Sequence, residues 1–497
     1  MVSDSTRPQD PPRTPLSTLA DWLGVGRPDG AEDVLVTGIS LSSQRVRPGD
    51  LYAALPGSRA HGVDFAGPAI GSGAVAVLTD PDGAARADLP VPVLAVDRPR
   101  AVLGRLAAHL YGDPAASMRM VGVTGTQGKT TTTRLLESGL TERGETAAVI
   151  GTVGTRVAGE DVKTALTTPE APDLHALFAM MRERGVTTCA MEVSSHALVM
   201  GRVDGVVFDV AVFLNLGRDH LDFHADVEDY FRAKASLFTP ERARRALVNV
   251  DDEHGRRLAA ECAIPVRTFS VAGAADWRAS DVVLRPDGSS FVVTGPDGVR
   301  VEAGCPLPGE YNVSNTLAAI AAAAEAGVDA AAVASGIASG AGVPGRLERV
   351  EAGQDFLVVV DYAHKPDAVE AAIGALRPLT EGRVIVVLGA GGDRDPGKRP
   401  IMAALAAELA DVLVVTDDNP RTEDPAAIRA AMLAGAAGGR AEVLEIGDRR
   451  AAIRAALDRA APGDVVLIAG KGHETGQEID GVVHPFDDRE VAREEFA

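Results

Sequence analysis

The sequence predicts an α/β protein with three domains, and three observations support that class. At 497 residues the chain is too long to fold around a single core. Continuous apolar runs such as RMVGVTG, TTCAMEVS and VAVFLNL each end in polar residues, as buried strands of a parallel sheet do. Four later runs, after the glycine-rich SGAGVPGR, end in polar clusters in the same way. We therefore expect a small α/β domain, a central parallel-sheet domain and a C-terminal doubly wound domain of Rossmann type.

The first domain is expected over residues 16–117, where VLVTGIS, AVAVLTD and VPVLAV alternate with turns that contain glycine or proline. Residues 1–15 are polar and rich in proline, without the apolar segment of a signal peptide. We expect these residues to form a disordered leader. The central domain is expected over 118–342 and the C-terminal domain over 343–497.

The composition argues against several kinds of partner. The 70 acidic residues outnumber the 49 Lys and Arg residues and give a net charge of −21, which disfavours nucleic acid or an anionic membrane as the main partner. No apolar run reaches the ~18 residues that a membrane span needs, so we expect no membrane insertion. The three cysteines are scattered and match neither a disulfide framework nor a metal motif, which favours a cytoplasmic protein.

The segment GVTGTQGKTTTT, residues 122–133, lies between a predicted strand and a predicted helix. Backbone amides of such a turn and of the helix N-terminus form a binding site for phosphate. Lys129 can reach the β- and γ-phosphates of ATP, and the Thr130 hydroxyl can bind Mg²⁺. Val123 stands where the general pattern has glycine, and an ordinary glycine-rich turn is the alternative. We predict a central domain of phosphate-loop ATPase type, with an ATP-binding loop of Gly125, Thr126, Gln127, Gly128, Lys129, Thr130 and Thr131.

Polar residues follow the next two apolar runs. AMEVSSHAL places Glu192 at the end of a buried strand, where a carboxylate is costly unless it meets a cation or a donor. NLGRDHLDFH places His220 after the following strand. Glu192 could instead cap a helix, and His220 could be a core histidine with satisfied hydrogen bonds. Because both clusters are expected beside the phosphate loop, we interpret the two residues as Mg²⁺ ligands.

Lysine is rare in this chain, which uses arginine almost wherever it needs a cation. Only six lysines occur, and Lys234 lies in DYFRAKASLF, on a predicted helix after the His220 segment. A surface lysine whose stem covers apolar neighbours is one explanation, but arginine would serve there equally well. Lysine, unlike arginine, can lose its proton and be modified. A neutral amine can take up CO₂ to form a carbamate, which offers oxygen ligands to Mg²⁺.

Together these segments resemble the Mur ligase family of peptidoglycan biosynthesis, and within it the ligases that add a diamino acid to UDP-N-acetylmuramoyl-L-alanyl-D-glutamate. The resemblance covers essentially the whole chain after residue 16. It is carried, in order, by GTQGKTTTT, MEVSSHAL, NLGRDHLDFH with YFRAKASLF, PGEYNVSN, PGRLE, VDYAHKPD, GAGGDRDPGKR, DDNPR and AGKGHE. It implies an ATP-dependent amide ligase that activates the D-Glu γ-carboxylate as an acyl phosphate, with ATP as cosubstrate and two Mg²⁺ ions.

The resemblance also implies catalytic roles. In such ligases the lysine that matches Lys234 is carbamylated, as N6-carboxylysine, and helps to hold a second Mg²⁺ with the matches of Glu192 and His220. Lys129 would act on the transferred phosphate, and Thr130 would be a further metal ligand. Closure of the third domain over the second is expected to exclude water from the acyl phosphate.

Binding roles carry over in three groups. The adenine, phosphate and ribose of ATP are matched by Asn312, Asn315, Arg346 and Asp361. The UDP end is matched by Leu41, Ser43, Ser58, Arg59 and Ala60, and the muramoyl-dipeptide by Thr167, Thr168, Ser194 and Arg202. The diamino-acid pocket is matched by Arg394, Asp418, Asn419, Pro420, Arg421, Gly470 and Glu474. The chain departs from the family pattern at Ser42 and Gln44, where the uridine contacts lie, at Gln127, and at Leu166 and Met200.

The DDNPR motif favours diaminopimelate as the amino acid added. The far end of diaminopimelate carries a carboxylate and an ammonium group, which Arg421 and Glu474 can bind. A lysine side chain offers no such carboxylate, and a buried unpaired arginine is costly. Arg421 as a solvated turn residue is the alternative. The predicted partners are thus ATP, UDP-muramoyl-dipeptide and diaminopimelate, bound by a monomer.

Three other functions remain open from the sequence. A lysine-adding ligase and a folylpolyglutamate synthetase-like ligase would share the architecture, although a first domain of UDP-binding type disfavours the folate enzyme. A nucleotide-dependent switch or binding module would share the phosphate loop alone, since that loop serves many functions. A switch would need neither a modified lysine nor an amino-acid pocket.

Overall fold

The computed structural model describes residues 6–86, 88–164, 166–217, 219–220 and 223–496. The chain forms two compact units. The N-terminal unit comprises the chain up to Ser270 together with Ala318–Val333, and the C-terminal unit comprises Val271–Leu317 and the chain from Ala334 onward. Parallel sheets with intervening helices occur in both units, which confirms the predicted α/β class.

The elements up to residue 270 belong to the N-terminal unit. The strands are β1 (Thr14–Pro15), β2 (Leu35–Val36), β3 (Gly38–Ser40), β4 (Asp50–Ala53), β5 (Ala76–Thr79), β6 (Val93–Ala95), β7 (Arg119–Thr124), β8 (Ala147–Gly151), β9 (Gly154–Val157), β10 (Glu160–Val162), β11 (Thr188–Glu192), β12 (Val210–Phe213), β13 (Ala246–Asn249) and β14 (Val266–Ser270). The helices are α1 (Leu16–Leu23), α2 (Ala66–Gly71), α3 (Pro81–Arg86), α4 (Pro99–Leu110), α5 (Lys129–Glu142), α6 (Ala171–Glu183), α7 (Ser195–Val199), α8 (Val227–Ala235) and α9 (Glu253–Glu261).

The later elements complete the fold. The helices α10 (Glu310–Glu325) and α11 (Ala330–Ser339) contain residues of both units. The remaining strands are β15 (Trp277–Arg285), β16 (Gly288–Thr294), β17 (Arg300–Cys305), β18 (Glu348–Arg349), β19 (Leu357–Asp361), β20 (Val384–Leu388), β21 (Val412–Val415), β22 (Glu442–Glu445), β23 (Val465–Ala469), β24 (Gly476–Ile479) and β25 (Val482–Pro485). The remaining helices are α12 (Pro366–Leu376), α13 (Lys398–Leu409), α14 (Pro425–Ala436), α15 (Arg449–Leu457) and α16 (Asp488–Glu494).

Two sheets organise the N-terminal unit. The strands β3, β4, β5 and β6 form a parallel sheet in that order. The second sheet has the order β10-β9-β8-β11-β7-β12-β13-β14, and it is parallel from β8 to β14. Its central strands β7, β11 and β12 are apolar and buried over almost their whole length, as expected of strands covered on both faces. Their carboxyl ends therefore meet at one edge, which carries the phosphate loop, Glu192 and the segment after Phe213.

The C-terminal unit contains the doubly wound sheet that the sequence predicts. Its parallel strands lie in the order β19-β23-β20-β21-β22, and the short β18 pairs antiparallel with β19. The four apolar runs of the third block form β19, β20, β21 and β23, which are consecutive neighbours in this order. Because the four strands are parallel, the polar residues that follow each of them lie at the same edge of the sheet. This confirms the doubly wound sheet that the sequence predicts.

The antiparallel strands β15, β16 and β17 were not predicted. Most side chains of β15 are exposed, and Val282 and Val283 are among them. A strand of this kind gives no continuous apolar run, so the criterion that finds buried parallel strands does not detect it.

The expected disorder of residues 1–15 is wrong for residues 6–15. Nη1 of Arg7 lies 2.6 Å from Oδ1 of Asp50, and the Arg7 side chain is largely buried. The backbone N–H groups of Gln9 and Asp10 donate to the Glu183 carboxylate, at 2.8 and 2.9 Å. A polar composition did not preclude order here, because charged partners on the folded domains hold the segment. Residues 1–5 lie outside the described residues.

Residues 317–341 are rich in alanine, and they are divided between two helices, α10 and α11. Among the helices that the structure describes, none has both the length and the apolar character of a membrane span.

Candidate functional site

The phosphate loop connects β7 to α5, as predicted. β7 ends at Thr124 and α5 begins at Lys129, with Gly128 at φ +87° as the residue before the helix. Gly125 has φ +153°, and a Cβ on it would lie 3.0 Å from Cβ of Leu214. The positive φ angles of both positions favour glycine over any residue with a Cβ. The N-terminus of α5 directly follows the loop, as in a phosphate-binding site.

The loop is held by Asn215, which the sequence analysis did not assign. Oδ1 of Asn215 accepts hydrogen bonds from the N–H groups of Thr126 and Gln127, at 3.1 and 2.9 Å. Its Nδ2 donates to the Gln127 carbonyl at 3.2 Å. Asn215 follows β12, the strand beside β7, so the loop shape depends on the neighbouring strand.

Glu192 lies at the end of β11 and is almost fully buried. Its Oε1 accepts hydrogen bonds from the Thr130 hydroxyl and the Thr152 N–H, both at 2.8 Å. Its Oε2 accepts from the Thr152 hydroxyl at 3.2 Å. A Cβ at Gly151 would clash with Oε1 of Glu192, so this position needs a glycine. The helix-cap alternative is wrong, because Ser194 is the N-cap of α7 and accepts from the Ala197 N–H.

Lys234 is buried at the phosphate loop, so the surface-lysine alternative is wrong. It is 1% exposed, its Nζ donates to the Gly125 carbonyl at 2.8 Å, and the same Nζ lies 4.5 Å from the centroid of the Tyr230 ring. Nζ of Lys129 donates to the same carbonyl at 2.8 Å and to that of Thr126 at 3.0 Å. The two amino groups can therefore lie no further apart than twice 2.8 Å, and two ammonium groups at that separation repel each other.

His220 lies in a group of rings beside α8. Its side chain is 37% exposed, which excludes the core-histidine alternative, and its Nε2 is 3.3 Å from Oδ2 of Asp219. The His220 backbone has φ +53°. Its ring centroid is 4.8 Å from that of His196 and 6.0 Å from that of Tyr230. The Tyr230 ring therefore lies beside both Lys234 and His220.

His224 is held by one side chain of α7 and one of α8. Nε2 of His224 lies 2.9 Å from the Ser195 hydroxyl, and Nδ1 lies 3.0 Å from Oδ2 of Asp229. Ser195 and His224 are both buried, so this arrangement connects α7 to α8 and offers no exposed nucleophile. No sequence signal predicts these contacts, because the three residues lie in or between different elements of the chain.

The predicted metal ligands fit Mg²⁺ by chemistry. Within the described ranges, no group of three or more His, Cys, Asp or Glu side chains is arranged to hold a metal ion. Thr130 and Glu192 are nevertheless in direct contact through oxygen atoms. Mg²⁺ prefers oxygen ligands, and a carbamate on Lys234 would add more of them.

The residues predicted for the UDP end follow two neighbouring strands. Leu41 and Ser43 follow β3, and Ser58, Arg59 and Ala60 follow β4, which is parallel to β3. The second group is exposed in a tight turn in which the Gly57 N–H donates to the Ala60 carbonyl. The fold therefore brings both groups to one edge of the small sheet.

The residues predicted for the muramoyl-dipeptide gather around Glu192. The Thr168 hydroxyl donates to the Glu192 carbonyl at 2.9 Å, and the Thr167 hydroxyl lies 3.2 Å from that of Thr152. Nε of Arg202 donates to Glu170 at 2.9 Å, and its Nη1 donates to the Thr168 carbonyl. Ser194 directly precedes α7, as described above. These four positions are thus connected to the Glu192 end of β11.

The remaining ATP-side residues lie in the C-terminal unit. Asn312 and Asn315 are buried in the first turns of α10, where Nδ2 of Asn315 donates to Oδ1 of Asn312 at 3.1 Å. Asp361 ends β19 and accepts from the backbone N–H groups of Leu347 and Ala363, each at 2.8 Å. Burial raises the pKa of Asp361, although the Arg346 charge opposes that shift. The Arg346 guanidinium lies 4.7 Å from the centroid of the Tyr362 ring.

The predicted diamino-acid residues follow β20, β21 and β23, which are neighbours in the sheet. Asp418 and Asn419 are buried, and a Cβ at Gly470, which has φ +118°, would clash with the Asp418 carboxylate. Arg394 is exposed, and its Nη1 donates to the Asp393 carbonyl at 3.2 Å. Glu474 accepts from Nδ2 of Asn419 at 2.9 Å.

Arg421 follows Pro420 and has φ +55°. Its Nη1 donates to the Gly392 carbonyl at 2.6 Å, and its Nε lies 3.3 Å from Oε2 of Glu478. With a side chain 21% exposed, Arg421 is not the solvated turn residue of the alternative explanation. A Cβ at Gly391 would lie 2.9 Å from Nη1 of Arg421 and 3.9 Å from Cγ of Arg394, so the two arginines flank this glycine.

Comparison with known proteins identifies the family. Three family models match the chain: "Mur ligase family, catalytic domain" at residues 35–111, "Mur ligase middle domain" at 123–323, and "Mur ligase, glutamate ligase domain" at 345–472. The chain is 58% identical over 488 residues to the UDP-N-acetylmuramoyl-L-alanyl-D-glutamate–2,6-diaminopimelate ligase of Streptomyces coelicolor, covering 97% of this chain and 96% of the relative. The Corynebacterium glutamicum protein with the same description is 51% identical over 498 residues, with 96% of each chain covered.

Solved structures agree with these relatives. A structure described as UDP-N-acetylmuramoyl-L-alanyl-D-glutamate–2,6-diaminopimelate ligase matches with a TM-score of 0.70 and 34% identity, covering 98% of this chain and 99% of the other. Mycobacterium tuberculosis folylpolyglutamate synthase matches with a TM-score of 0.59 and 20% identity over 75% of this chain and 92% of its own, which indicates a shared fold alone. The full-length relatives, the three family models and the site geometry lead to one conclusion: the chain belongs to the Mur ligase family.

Proposed function

We propose that this protein is the ATP-dependent ligase that adds diaminopimelate to the D-Glu γ-carboxylate of UDP-N-acetylmuramoyl-L-alanyl-D-glutamate, a step in peptidoglycan precursor synthesis. It is an ATP-dependent carbon–nitrogen ligase. The relatives that carry this description cover nearly the whole chain at 51–58% identity. The structural observation that carries the proposal is the convergence of Lys129, Lys234 and Thr130 with Glu192 at the end of the central sheet. We place the reaction in the cytoplasm and assign it to a monomer.

The proposed binding and catalytic roles are divided among the three predicted domains. Residues 16–117 would bind the UDP end, residues 118–342 would bind ATP and carry the chemistry, and residues 343–497 would bind the amino acid. The family models at 35–111, 123–323 and 345–472 support this division, because each falls inside one of the three segments.

The first chemical step transfers the γ-phosphoryl group of ATP to the substrate. An oxygen of the D-Glu γ-carboxylate attacks the γ-phosphorus, the bond to the β-phosphate oxygen breaks, and ADP leaves. Lys129 and the amides of the phosphate loop would stabilise the charge on the transferred group. Two Mg²⁺ ions, held by Thr130, Glu192, His220 and the Lys234 carbamate, would supply further charge neutralisation.

The second step forms the amide bond. The amine of diaminopimelate attacks the acyl carbon of the acyl phosphate and loses a proton, and phosphate leaves as the tetrahedral adduct collapses. The two arginines beside Gly391 would bind the distal carboxylate of the amino acid, while Glu474 would accept hydrogen bonds from its distal ammonium. Lysine lacks that carboxylate, so this pocket favours diaminopimelate.

The repulsion between Lys129 and Lys234 supports the carbamate. Both amino groups donate to the Gly125 carbonyl, and Lys234 is buried. If the Lys234 ammonium loses a proton, and the neutral amine then attacks CO₂ with release of a second proton, a carbamate replaces the second positive charge with a negative one. The change turns repulsion into attraction and places anionic oxygens beside the loop that binds phosphate.

Phosphate release tests the proposed function against its alternatives. With UDP-muramoyl-dipeptide present, release should depend on diaminopimelate and be much slower with lysine. A lysine-adding enzyme would reverse that preference, and a folate ligase would require a folate substrate instead. A nucleotide-dependent switch would release phosphate independently of both amino acids, which would contradict the proposal.

A further inference from the structure

Lys471 is a second buried lysine in a chain that has only six lysines. It lies in AGKGHE, directly after Gly470 and the end of β23, and it is 0% exposed. The function proposed above gives it no role. A buried ammonium is costly unless it is paired and hydrogen-bonded, so its surroundings indicate what it does.

Lys471, Asn419 and Glu474 form a closed set of hydrogen bonds. Nζ of Lys471 donates to Oδ1 of Asn419 at 3.1 Å and to Oε2 of Glu474 at 3.2 Å. Nδ2 of Asn419 donates to the same Oε2 at 2.9 Å. Oδ1 of Asn419 also accepts the Glu478 N–H at 2.9 Å, so two donors fix the orientation of the amide. These described partners thus hold the Glu474 carboxylate through Oε2.

The other oxygen of Glu474 is available to a ligand. No hydrogen bond to Oε1 of Glu474 is formed by the residues that the structure describes, and the Glu474 side chain is 32% exposed, whereas that of Lys471 is fully buried. The nearby buried Arg449 is engaged elsewhere, since its Nη2 lies 2.7 Å from Oδ2 of Asp488. Among the described residues, Lys471 is therefore the buried cation that pairs with Glu474.

We propose that Lys471 is a positioning residue that determines specificity for the distal ammonium of the amino acid. It orients the Glu474 carboxylate by holding Oε2, so that Oε1 meets that ammonium. Lys471 does not touch the ligand itself, because it is buried behind the carboxylate. A compact ammonium with three donors can bridge Asn419 and Glu474, whereas the larger planar guanidinium of arginine has a different geometry. This inference rests on the proposed function, which places the amino acid at Glu474.

Two substrates separate positioning from a general structural role. Diaminopimelate carries the distal ammonium, and 2-aminopimelate has the same chain, both carboxylates and the reacting amine but no distal amine. For wild-type enzyme and Lys471→Met, we would measure kcat/KM for each amino acid and KM for ATP. Lys163→Met is the matched control, because Lys163 is exposed beyond β10.

In Lys471→Met the preference for diaminopimelate over 2-aminopimelate should fall roughly 10- to 100-fold, mainly through KM for diaminopimelate. Values for 2-aminopimelate and for ATP should change little. Glu474→Gln should lose the preference too, and the double variant should lose no more than either single one. Lys471→Gln retains a donor toward Asn419 but carries no charge, so it should give the same loss of preference. It replaces Lys471→Met in the experiment if the methionine variant does not fold.

Two outcomes would overturn the inference alone. An equal fall in kcat/KM for both amino acids would show a structural role, and an unchanged preference would show no role. If wild-type enzyme used neither amino acid with UDP-muramoyl-dipeptide, the proposed function would fail, and the inference would fail with it.

Discussion

Lys129 and Lys234 donate hydrogen bonds to the same carbonyl oxygen, that of Gly125, each at 2.8 Å. Lys129 begins α5 and Lys234 lies near the end of α8, so two helices of the N-terminal unit direct their amino groups at one point of the phosphate loop. A site with two cations in so small a space is suited to an anion, either a bound phosphate or a carbamate on one of the lysines.

Replacing Lys129 tests the phosphate loop. Lys129→Ala should lower kcat for phosphate release roughly 100- to 1000-fold, because it removes charge stabilisation at the transferred phosphoryl group. The variant should unfold at nearly the wild-type temperature, as measured by circular dichroism. Lys163→Ala, at an exposed position, should behave as wild type. Near-normal ligation by folded Lys129→Ala would contradict the assignment of the loop.

Asn215 should affect ATP binding although the sequence analysis did not assign it. Asn215→Ala removes Oδ1, the acceptor of the Gln127 N–H, whereas the Thr126 N–H keeps the backbone carbonyl of Asn215 at 3.0 Å. Leaving a buried amide unsatisfied costs about 1–3 kcal/mol. We expect a raised KM for ATP and a lower melting temperature. Asn215→Asp, which keeps an acceptor oxygen, should retain more affinity than the alanine variant. Equal KM values for ATP in wild type and Asn215→Ala would show that the loop keeps its shape without this side chain.

Residues that follow apolar strands could be predicted from the sequence. Glu192 and Asp418 each come at, or within a few residues of, the end of a continuous apolar run. The strands that these runs form are parallel, so within each sheet their carboxyl ends lie at one edge. Lys234 was identified by its rarity in an arginine-rich chain, and its burial agrees with that reasoning. Lys471 is equally rare and is also buried, so the same criterion applies to it.

Partners set by tertiary proximity could not be predicted. Thr152 orients Glu192 from the turn after β8, and nothing in its sequence neighbourhood distinguishes it from other threonines. The order of residues 6–15 depends on Asp50 and Glu183, which are distant in sequence. Spacing along one chain carries no information about these contacts, since they exist only once the strands and helices have packed.

Arg421 should determine affinity for the amino acid and not for ATP. Arg421→Ala removes the proposed clamp on the distal carboxylate, a loss of about 2–4 kcal/mol. KM for diaminopimelate should rise accordingly while KM for ATP stays near its wild-type value. Arg421→Lys is the control: it keeps the charge but not the bidentate geometry, and should recover only part of the loss. Equal changes in both KM values would place Arg421 outside the amino-acid pocket.

The carbamate hypothesis makes its sharpest prediction at Lys234. Lys234→Arg keeps the positive charge and much of the length, so a residue needed only as a cation would tolerate it. If an anionic oxygen is needed instead, Lys234→Arg places a fixed positive charge beside Lys129 and should be almost inactive in phosphate release. Lys234→Ala should also be nearly inactive, because it lacks the oxygen ligands.

Chemical rescue distinguishes these two variants. A small carboxylic acid added to Lys234→Ala can occupy the space left beside Gly125 and supply an anionic oxygen, so some ligation should return in proportion to its concentration. The same acid should not help Lys234→Arg, whose side chain fills that space. Mass spectrometry at raised bicarbonate should also detect an added CO₂ on wild-type enzyme that both variants lack. Wild-type ligation rates in Lys234→Arg at low bicarbonate would show that Lys234 acts as a cation, and the carbamate would then be wrong.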